Sequence, residues 1–193
     1  MGYSISWLAV KGLDKKTIYG RAGVGETGEI GDRDDYPASA RELGNGWTLL
    51  LFDRCEHPLL QSGALAGLSA NCSVVACNVD EDVMFASAEV WQDGAQIWSV
   101  RHLGDREVED LDVKGIPPDE FAEIERRCRS LQAQESDTDP YPVDHFFDIP
   151  LELAKRMTWF RHDESDLGDF RQLDWKQSAG LFGGRRWWPF GRK

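Results

Sequence analysis

The sequence contains no run of about 18 consecutive apolar residues, so it offers no candidate for a membrane-spanning helix. Its first seven residues lack a basic region followed by a long apolar stretch, and we therefore expect a cytoplasmic protein. Cysteine is scarce: the four are Cys55, Cys72, Cys77 and Cys128. In a chain without an export signal, such cysteines are expected to be reduced thiols in the core rather than disulfides.

The motifs of well-known catalytic and metal sites are also missing. The sequence contains no G-x-S-x-G motif and no H-E-x-x-H motif, and it lacks the H-R-D and D-F-G motifs of protein kinases. Cysteines at 55, 72 and 77 with His57 would offer zinc ligands, but their C-x-H and C-x4-C spacings differ from the usual C-x2-C knuckles. The acidic runs at 137–148 and 163–169 lack the pattern of a calcium loop. We therefore expect neither a metal nor a cofactor.

One glycine-rich segment, residues 23–28, fits the letters G-x-G-x-x-G. A dinucleotide site needs an apolar strand before this motif and a helix after it. Here lysines and an arginine precede the motif, and four acidic residues follow it before residue 36, which would repel a phosphate. The pattern from Gly23 to Asp35 therefore predicts a surface loop.

Charge divides the chain into two parts. Residues 1–170 carry 16 Lys and Arg against 33 Asp and Glu, whereas residues 171–193 carry 6 against 1. The eight tryptophans argue against disorder, because disordered chains are poor in aromatic residues. We expect a single acidic domain at 1–170 followed by a basic, aromatic tail at 171–193. An acidic body repels nucleic acid and attracts basic proteins.

The hydrophobic pattern predicts an α+β fold. Alternating apolar residues and hairpin signals indicate an antiparallel meander of five or six strands, and three amphipathic segments at 58–70, 117–133 and 149–160 predict helices packed on one face of the sheet. Asn45-Gly46 and Asp93-Gly94 are typical of tight two-residue hairpins. With such a loop at 93–94, Glu89 would lie opposite Trp98, and Trp91 and Trp98 would share a face of the sheet.

Two histidines offer a possible general base. His145 has Asp148 nearby in sequence, and His162 has Asp163, so each could be oriented by a carboxylate. No nucleophile motif accompanies either pair. A small hydrolase-like enzyme using one of these pairs is therefore an alternative hypothesis. The competing interpretation is a histidine whose only role is to pair with neighbouring acids.

The acidic body without catalytic motifs favours a non-catalytic protein-binding module. Its most concrete form is an immunity or inhibitor protein that neutralises a basic partner such as a toxin. The contacts are expected to come from acids in turns and strands, with an exposed tryptophan as an anchor. The candidate acids are Asp80, Glu81, Asp82, Glu107, Glu109, Asp110 and Asp112.

The basic tail interleaves arginine with aromatic residues, a combination suited to acidic surfaces or lipid headgroups. We favour a clamp that folds onto the acidic body or mediates self-association. Weak, reversible membrane association is a second possibility, because the apolar stretch is short. A nucleic-acid arm is a third, opposed by the charge of the body. The contact residues would be Arg185, Arg186, Trp187, Trp188 and Phe190.

Overall fold

The computed structural model describes residues 2–104, 110–135, 143–164 and 168–176. Within these residues the chain forms one sheet of nine strands, all paired antiparallel, together with four α-helices. The predicted α+β class is confirmed, with more strands than the five or six expected. The strands are β1 (Ser4–Lys11), β2 (Val24–Gly31), β3 (Ala38–Glu42), β4 (Thr48–Phe52), β5 (Ser73–Asp80), β6 (Phe85–Gln92), β7 (Ala95–Leu103), β8 (Leu111–Gly115) and β9 (Phe170–Trp175). The helices are α1 (Lys15–Ala22), α2 (Ser62–Leu68), α3 (Glu120–Gln132) and α4 (Asp148–Thr158).

The spatial order of the strands is β2-β9-β3-β4-β1-β5-β6-β7-β8. The central strand β1 is buried from Ile5 to Val10, and all five residues of β4 are buried. Strands buried without interruption in this way are covered on both faces, because alternate side chains point to opposite sides.

Helices accordingly pack on both faces of the sheet. Trp7 and Ala9 of β1 point to the first face, where α3 and α4 contribute apolar residues to a shared core. Leu8 and Val10 point to the second face, where the core is shared with α1 and α2. Two of the three helices predicted for one face therefore lie there, whereas α2 packs on the opposite face, because the central strands are apolar on both sides.

The segment predicted as a surface loop at 23–35 instead contains the edge strand β2. Gly23 ends α1 in the left-handed conformation, with φ of 71°. The G-x-G-x-x-G letters therefore follow a helix and lie within a strand, the reverse of the order that a dinucleotide site requires. The strand forms because β9, far away in sequence, pairs with it from Val24 to Gly31.

The sheet also continues past residue 170, where the acidic domain was predicted to end. Strand β9 lies between β2 and β3, and its Phe170 and Leu173 are buried on opposite faces. The last described residue, Lys176, donates its N–H to the Gly23 carbonyl at 2.9 Å. The tail residues proposed as contacts lie outside the described residues: Arg185, Arg186, Trp187, Trp188 and Phe190.

The hairpin between β6 and β7 departs from its predicted register. Asp93 and Gly94 both have positive φ, 51° and 84°, as the tight turn requires. A bulge follows, and Val90 rather than Glu89 lies opposite Trp98. The bulge moves Trp98 into the core of the first face, while Trp91 packs on the second. The prediction that both tryptophans share a face was wrong.

All four cysteines are free thiols, and those at 72, 77 and 128 are buried. In the part of the chain that the structure describes, no three His, Cys, Asp or Glu side chains are grouped to hold a metal ion. No helix among those residues is long and apolar enough to cross a bilayer.

Candidate functional site

The second face of the sheet is left open over strands β6, β7 and β8. A groove of about 490 Å³ lies there, with a sheet floor and a wall formed by the segment after β4. We call it the β6–β8 groove. A smaller cleft of about 390 Å³ continues from it toward Ser4 and Asp80 and shares Glu56, Phe85 and Arg101 with it. The groove is lined by Glu56, His57, Leu60, Gln61, Ser62, Asn78, Phe85, Ser87, Ala88, Glu89, Gln96, Ser99, Arg101, Asp112 and Lys114.

Strand register arranges the polar floor in two rows that run across the three strands. In the first row, Arg101 lies between Ser87 and Asp112. In the second row, Ser99 lies between Glu89 and Lys114. The side chains that alternate with these positions, such as Val90 and Val100, are buried on the first face. The alternation leaves one face of this part of the sheet polar and accessible.

The wall of the groove is fixed by buried polar side chains. Glu56 has a left-handed backbone, with φ of 52°, and its N–H donates to Oδ1 of Asn78 at 3.0 Å. The Asn78 amide in turn donates to Oγ of Ser87 at 3.2 Å. Ser6 is fully buried, and its Oγ accepts the N–H of His57 at 3.1 Å. A side chain from β1 and one from β5 thus hold residues 56 and 57 over the sheet.

His57 is a buried imidazole at this wall. Its Nδ1 accepts the N–H of Leu59 at 3.3 Å, and its ring stacks on Phe52 with centroids 4.0 Å apart. Burial, with a smaller effect of the Arg54 charge, lowers the pKa of His57 to about 4. The side chain is therefore neutral at pH 7, with its proton assigned to Nε2 because Nδ1 is an acceptor. In this state neither nitrogen is available as a general base.

Most charges on the floor have partners within the chain. Lys114 Nζ lies 3.1 Å from Asp112, and Glu89 accepts from the Trp91 indole at 2.7 Å. Arg101 differs, because its guanidinium lies 4.7 Å from the Phe85 ring and has no ion pair with any other described residue. The Glu56 carboxylate likewise has no ion pair within the described residues. Both side chains are exposed and remain available for a binding partner.

The acids predicted as contacts are spread around this region. Asp80 and Asp112 line the two clefts, and Asp82 is exposed in the turn after β5. Glu81 has an internal role, since its carboxylate accepts the N–H of Tyr3 at 2.9 Å. Asp110 precedes β8, and its carbonyl lies 2.9 Å from Nδ1 of His102. Glu107 and Glu109 lie outside the described residues.

The first predicted acid–base pair, His145 and Asp148, is not in contact in the structure. Nε2 of His145 lies 2.8 Å from a carboxylate oxygen of Glu135. Asp148 instead pairs with the Arg161 guanidinium. The proximity of His145 and Asp148 in sequence is therefore not a contact, and neither residue lines the β6–β8 groove.

The side chains of the second predicted pair, His162 and Asp163, also do not hydrogen-bond to each other. His162 is 1% exposed, its Nε2 lies 3.5 Å from Glu81, and its Nδ1 has no partner among the described residues. Burial lowers the pKa of His162 despite the nearby carboxylates. Asp163 accepts from Arg161 at 2.7 Å and does not hydrogen-bond to the His162 ring. His162 joins the post-α4 segment to the β5–β6 turn, and Tyr3 packs edge-on against its ring.

A third histidine–carboxylate pair was not predicted. His102 is fully buried, with Nε2 2.8 Å from Asp144 and Nδ1 2.9 Å from the Asp110 carbonyl. Burial alone would lower the pKa of His102, but these hydrogen bonds and the Asp144 charge outweigh it and raise the pKa. Asp144 also accepts the N–H of Phe146 at 3.1 Å, at the start of α4. Because both ring nitrogens are engaged, the pair positions β7 against α4.

No protein-family model matches the chain, and no curated protein or solved structure is significantly similar to it. The candidate site therefore stands on its geometry. That geometry is an open groove with mixed charge, available hydroxyl and amide groups, and an imidazole that is neutral at pH 7 and hydrogen-bonded at Nδ1. It is suited to binding.

Proposed function

We propose that the chain is a non-catalytic protein-binding module of the immunity or inhibitor type, which neutralises a basic partner such as a toxin through the β6–β8 groove. The observation that carries the proposal is the groove itself. Its polar floor is left uncovered in a sheet whose central strands are covered on both faces. Functional sites are a common reason for such an exposed, concave surface.

The shape of the groove favours a macromolecular partner. Strand β8 forms one side of the groove and ends the sheet, and four of its five residues are exposed. A small ligand is usually buried for most of its surface in a closed pocket. A protein segment would instead lie across the floor and along this edge, where it meets the side chains of three strands.

The charge of the molecule favours a basic partner. The full chain has 34 Asp and Glu against 22 Lys and Arg. Asp112 lines the groove, Asp80 lines the smaller cleft beside it, and Glu56 lines both. A cationic protein would be attracted over long distances and its association accelerated, most strongly at low ionic strength.

Arg101 is suited to be the central contact residue of the interface. An arginine at the centre of an interface is often among the few residues that dominate the binding energy. Arg101 lies in the middle strand of the floor, stacked on the buried Phe85 ring, and belongs to both clefts. The surrounding acids would raise the association rate, and the contacts of Arg101 would lower the dissociation rate of the complex.

The test is capture of a basic protein from lysate of the native host, identified by mass spectrometry, followed by binding kinetics with that purified protein. We expect Asp80→Asn/Asp112→Asn to slow association and to flatten its dependence on salt. Arg101→Ala should speed dissociation. The matched control is Glu123→Gln/Glu125→Gln on α3, which removes the same charge from the opposite face of the sheet.

Capture that is equal in all variants would overturn the groove as the interface. A captured protein that is not basic, or that binds independently of salt, would overturn the electrostatic part. A chain ending at Lys176 separates a contribution of the tail, because it keeps β9. Loss of capture in that chain alone would assign binding to residues 177–193.

A further inference from the structure

Trp159 combines two unfavourable features at one position. It ends α4 in the left-handed conformation, with φ of 61°, and its N–H donates to the Lys155 carbonyl at 2.7 Å. Glycine or asparagine usually occupies this position, because other residues adopt the conformation reluctantly. The indole is also 70% exposed, whereas Phe160, the next residue, is buried. The reversal of the chain requires the backbone conformation but does not require a tryptophan.

The indole borders a cleft of about 550 Å³ between the start of α3 and the end of α4. The other lining residues are Glu120, Glu152, Lys155 and Arg156, two acids and two cations. Glu152 lies within 3.5 Å of Arg127 and Arg161, and Lys155 is paired with Glu164. Among the described residues, the only ion pair of Arg156 is a long contact of 3.8 Å with Glu123. We call this surface the Trp159 patch.

The charges that line the Trp159 patch favour a second copy of this chain as its binding partner. Two copies of a chain with a formal charge of −12 repel each other, most strongly where acids face acids. The lining of the Trp159 patch has no net charge and both signs are present, so a two-fold arrangement brings unlike charges together. An indole from one copy would also meet the cations of the other, a favourable cation–π arrangement.

We infer that the Trp159 patch is a self-association surface on which two copies of this chain pair, with Trp159 of each copy in the cleft of the other. The patch lies with α3 and α4 on the first face, whereas the β6–β8 groove is on the second. A dimer formed in this way leaves both grooves open. The inference is independent of the proposed function.

The experiment is sedimentation velocity of the full chain over a concentration series from low micromolar to sub-millimolar. We expect a reversible monomer–dimer equilibrium in the wild type. Trp159→Gly should weaken dimerisation by about tenfold or more, since it removes the central anchor. Its thermal midpoint should be unchanged or higher, because glycine fits the left-handed position.

Two full-length controls test whether a different surface forms the dimer. Ile30→Thr removes an exposed apolar residue from β2 at the far edge of the sheet and should leave dimerisation unchanged. Trp187→Ala/Trp188→Ala should also leave it unchanged, whereas a loss there would move the contact to the tail and overturn the inference. A wild type that stays monomeric, or a Trp159→Gly variant that dimerises equally well, would overturn it too. A large loss of stability in Trp159→Gly would show that the indole is structural and would overturn it as well.

Discussion

The backbone N–H of Glu56 donates to the side-chain Oδ1 of Asn78 with an N···O distance of 3.0 Å. This bond joins the segment after β4 to strand β5 and holds that segment in place as the wall of the β6–β8 groove. It is accompanied by the bond from Asn78 to Ser87 on the floor. One buried amide therefore sets the position of the wall relative to the floor.

Replacing Asn78 by alanine should destabilise the protein and loosen the groove. The substitution removes the acceptor of the part-buried Glu56 N–H and the donor to Ser87, and each such hydrogen bond contributes about 0.5–1.5 kcal/mol. Urea unfolding measures this change in the free energy of unfolding. Ser99→Ala is the matched control, since that hydroxyl on the same floor has no hydrogen bond to a described residue and should change stability by less than about 0.5 kcal/mol. Equal losses in both variants would contradict the role of Asn78.

The imidazole of His57 should titrate near pH 4 in the folded protein, because burial lowers its pKa to about 4. In the unfolded chain the value is about 6.5. Between these values the unfolded state binds more protons, so the contribution of His57 to stability is complete above about pH 6.5 and is lost as the pH falls toward 4. NMR of the imidazole resonances measures the midpoint, with His57→Gln to assign the signal. A midpoint at about 6 or above would contradict the buried, neutral state.

His102 should show the opposite dependence. Its pKa is raised in the folded protein by Asp144 and the Asp110 carbonyl, in spite of burial. Its contribution to stability is therefore complete below about pH 6.5 and declines as the pH rises through the folded value. The stability difference between the wild type and Asp144→Asn should be larger at about pH 6 than at about pH 9. Denaturant unfolding at both values tests this, and a difference that grows with pH would refute it.

Alanine at Gly115 should disrupt the edge of the groove. Gly115 has φ of 70°, and an added Cβ would lie 2.1 Å from the Ile97 carbonyl oxygen. Strand β7 or β8 would have to move, and we expect a loss of more than about 1 kcal/mol in stability together with weaker partner binding. Gly67→Ala in α2 is the contrast, because a Cβ there meets nothing within 4 Å. It should be neutral or stabilising by up to about 1 kcal/mol.

Truncation should show where the folded domain ends. A chain ending at Lys176 keeps every contact among the described residues, and its thermal midpoint should match that of the full chain. A chain ending at Asp169 loses β9 with the buried Phe170 and Leu173 and leaves β2 and β3 without their shared neighbour. Since deleting one large core side chain costs about 3–5 kcal/mol, we expect this shorter chain to be unfolded. Circular dichroism on heating distinguishes the two.

Local patterns in the sequence predicted the features that depend on neighbouring residues. The turn at Asp93-Gly94 forms with positive φ at both positions, as its side-chain chemistry demands. The helices α2, α3 and α4 lie within or at the edges of the predicted segments, because their apolar spacing and first-turn residues specify them locally.

The candidate site could be predicted only in part. Asp80 and Asp112 were named as contacts and do line the two clefts. The central Arg101 was missed, although polar residues alternate with buried ones along β6 and β7. That alternation indicates a strand with one accessible face. It does not reveal that α1 and α2 leave this face open, since the placement of the helices depends on contacts between distant segments.

Composition, turn chemistry and periodicity act over a few residues, and they are enough to specify an acidic α+β chain with antiparallel hairpins. Contacts between distant segments select which polar residues form the groove and which histidines are buried. They also bring β9 into the sheet, where it pairs with β2 on one side and with β3 on the other, and β2, which has few apolar residues, is specified by this pairing. The bulge in the β6–β7 hairpin separates Trp91 from Trp98 and places the two indoles in different cores, one on each face of the sheet, where the helices of that face contribute to the packing.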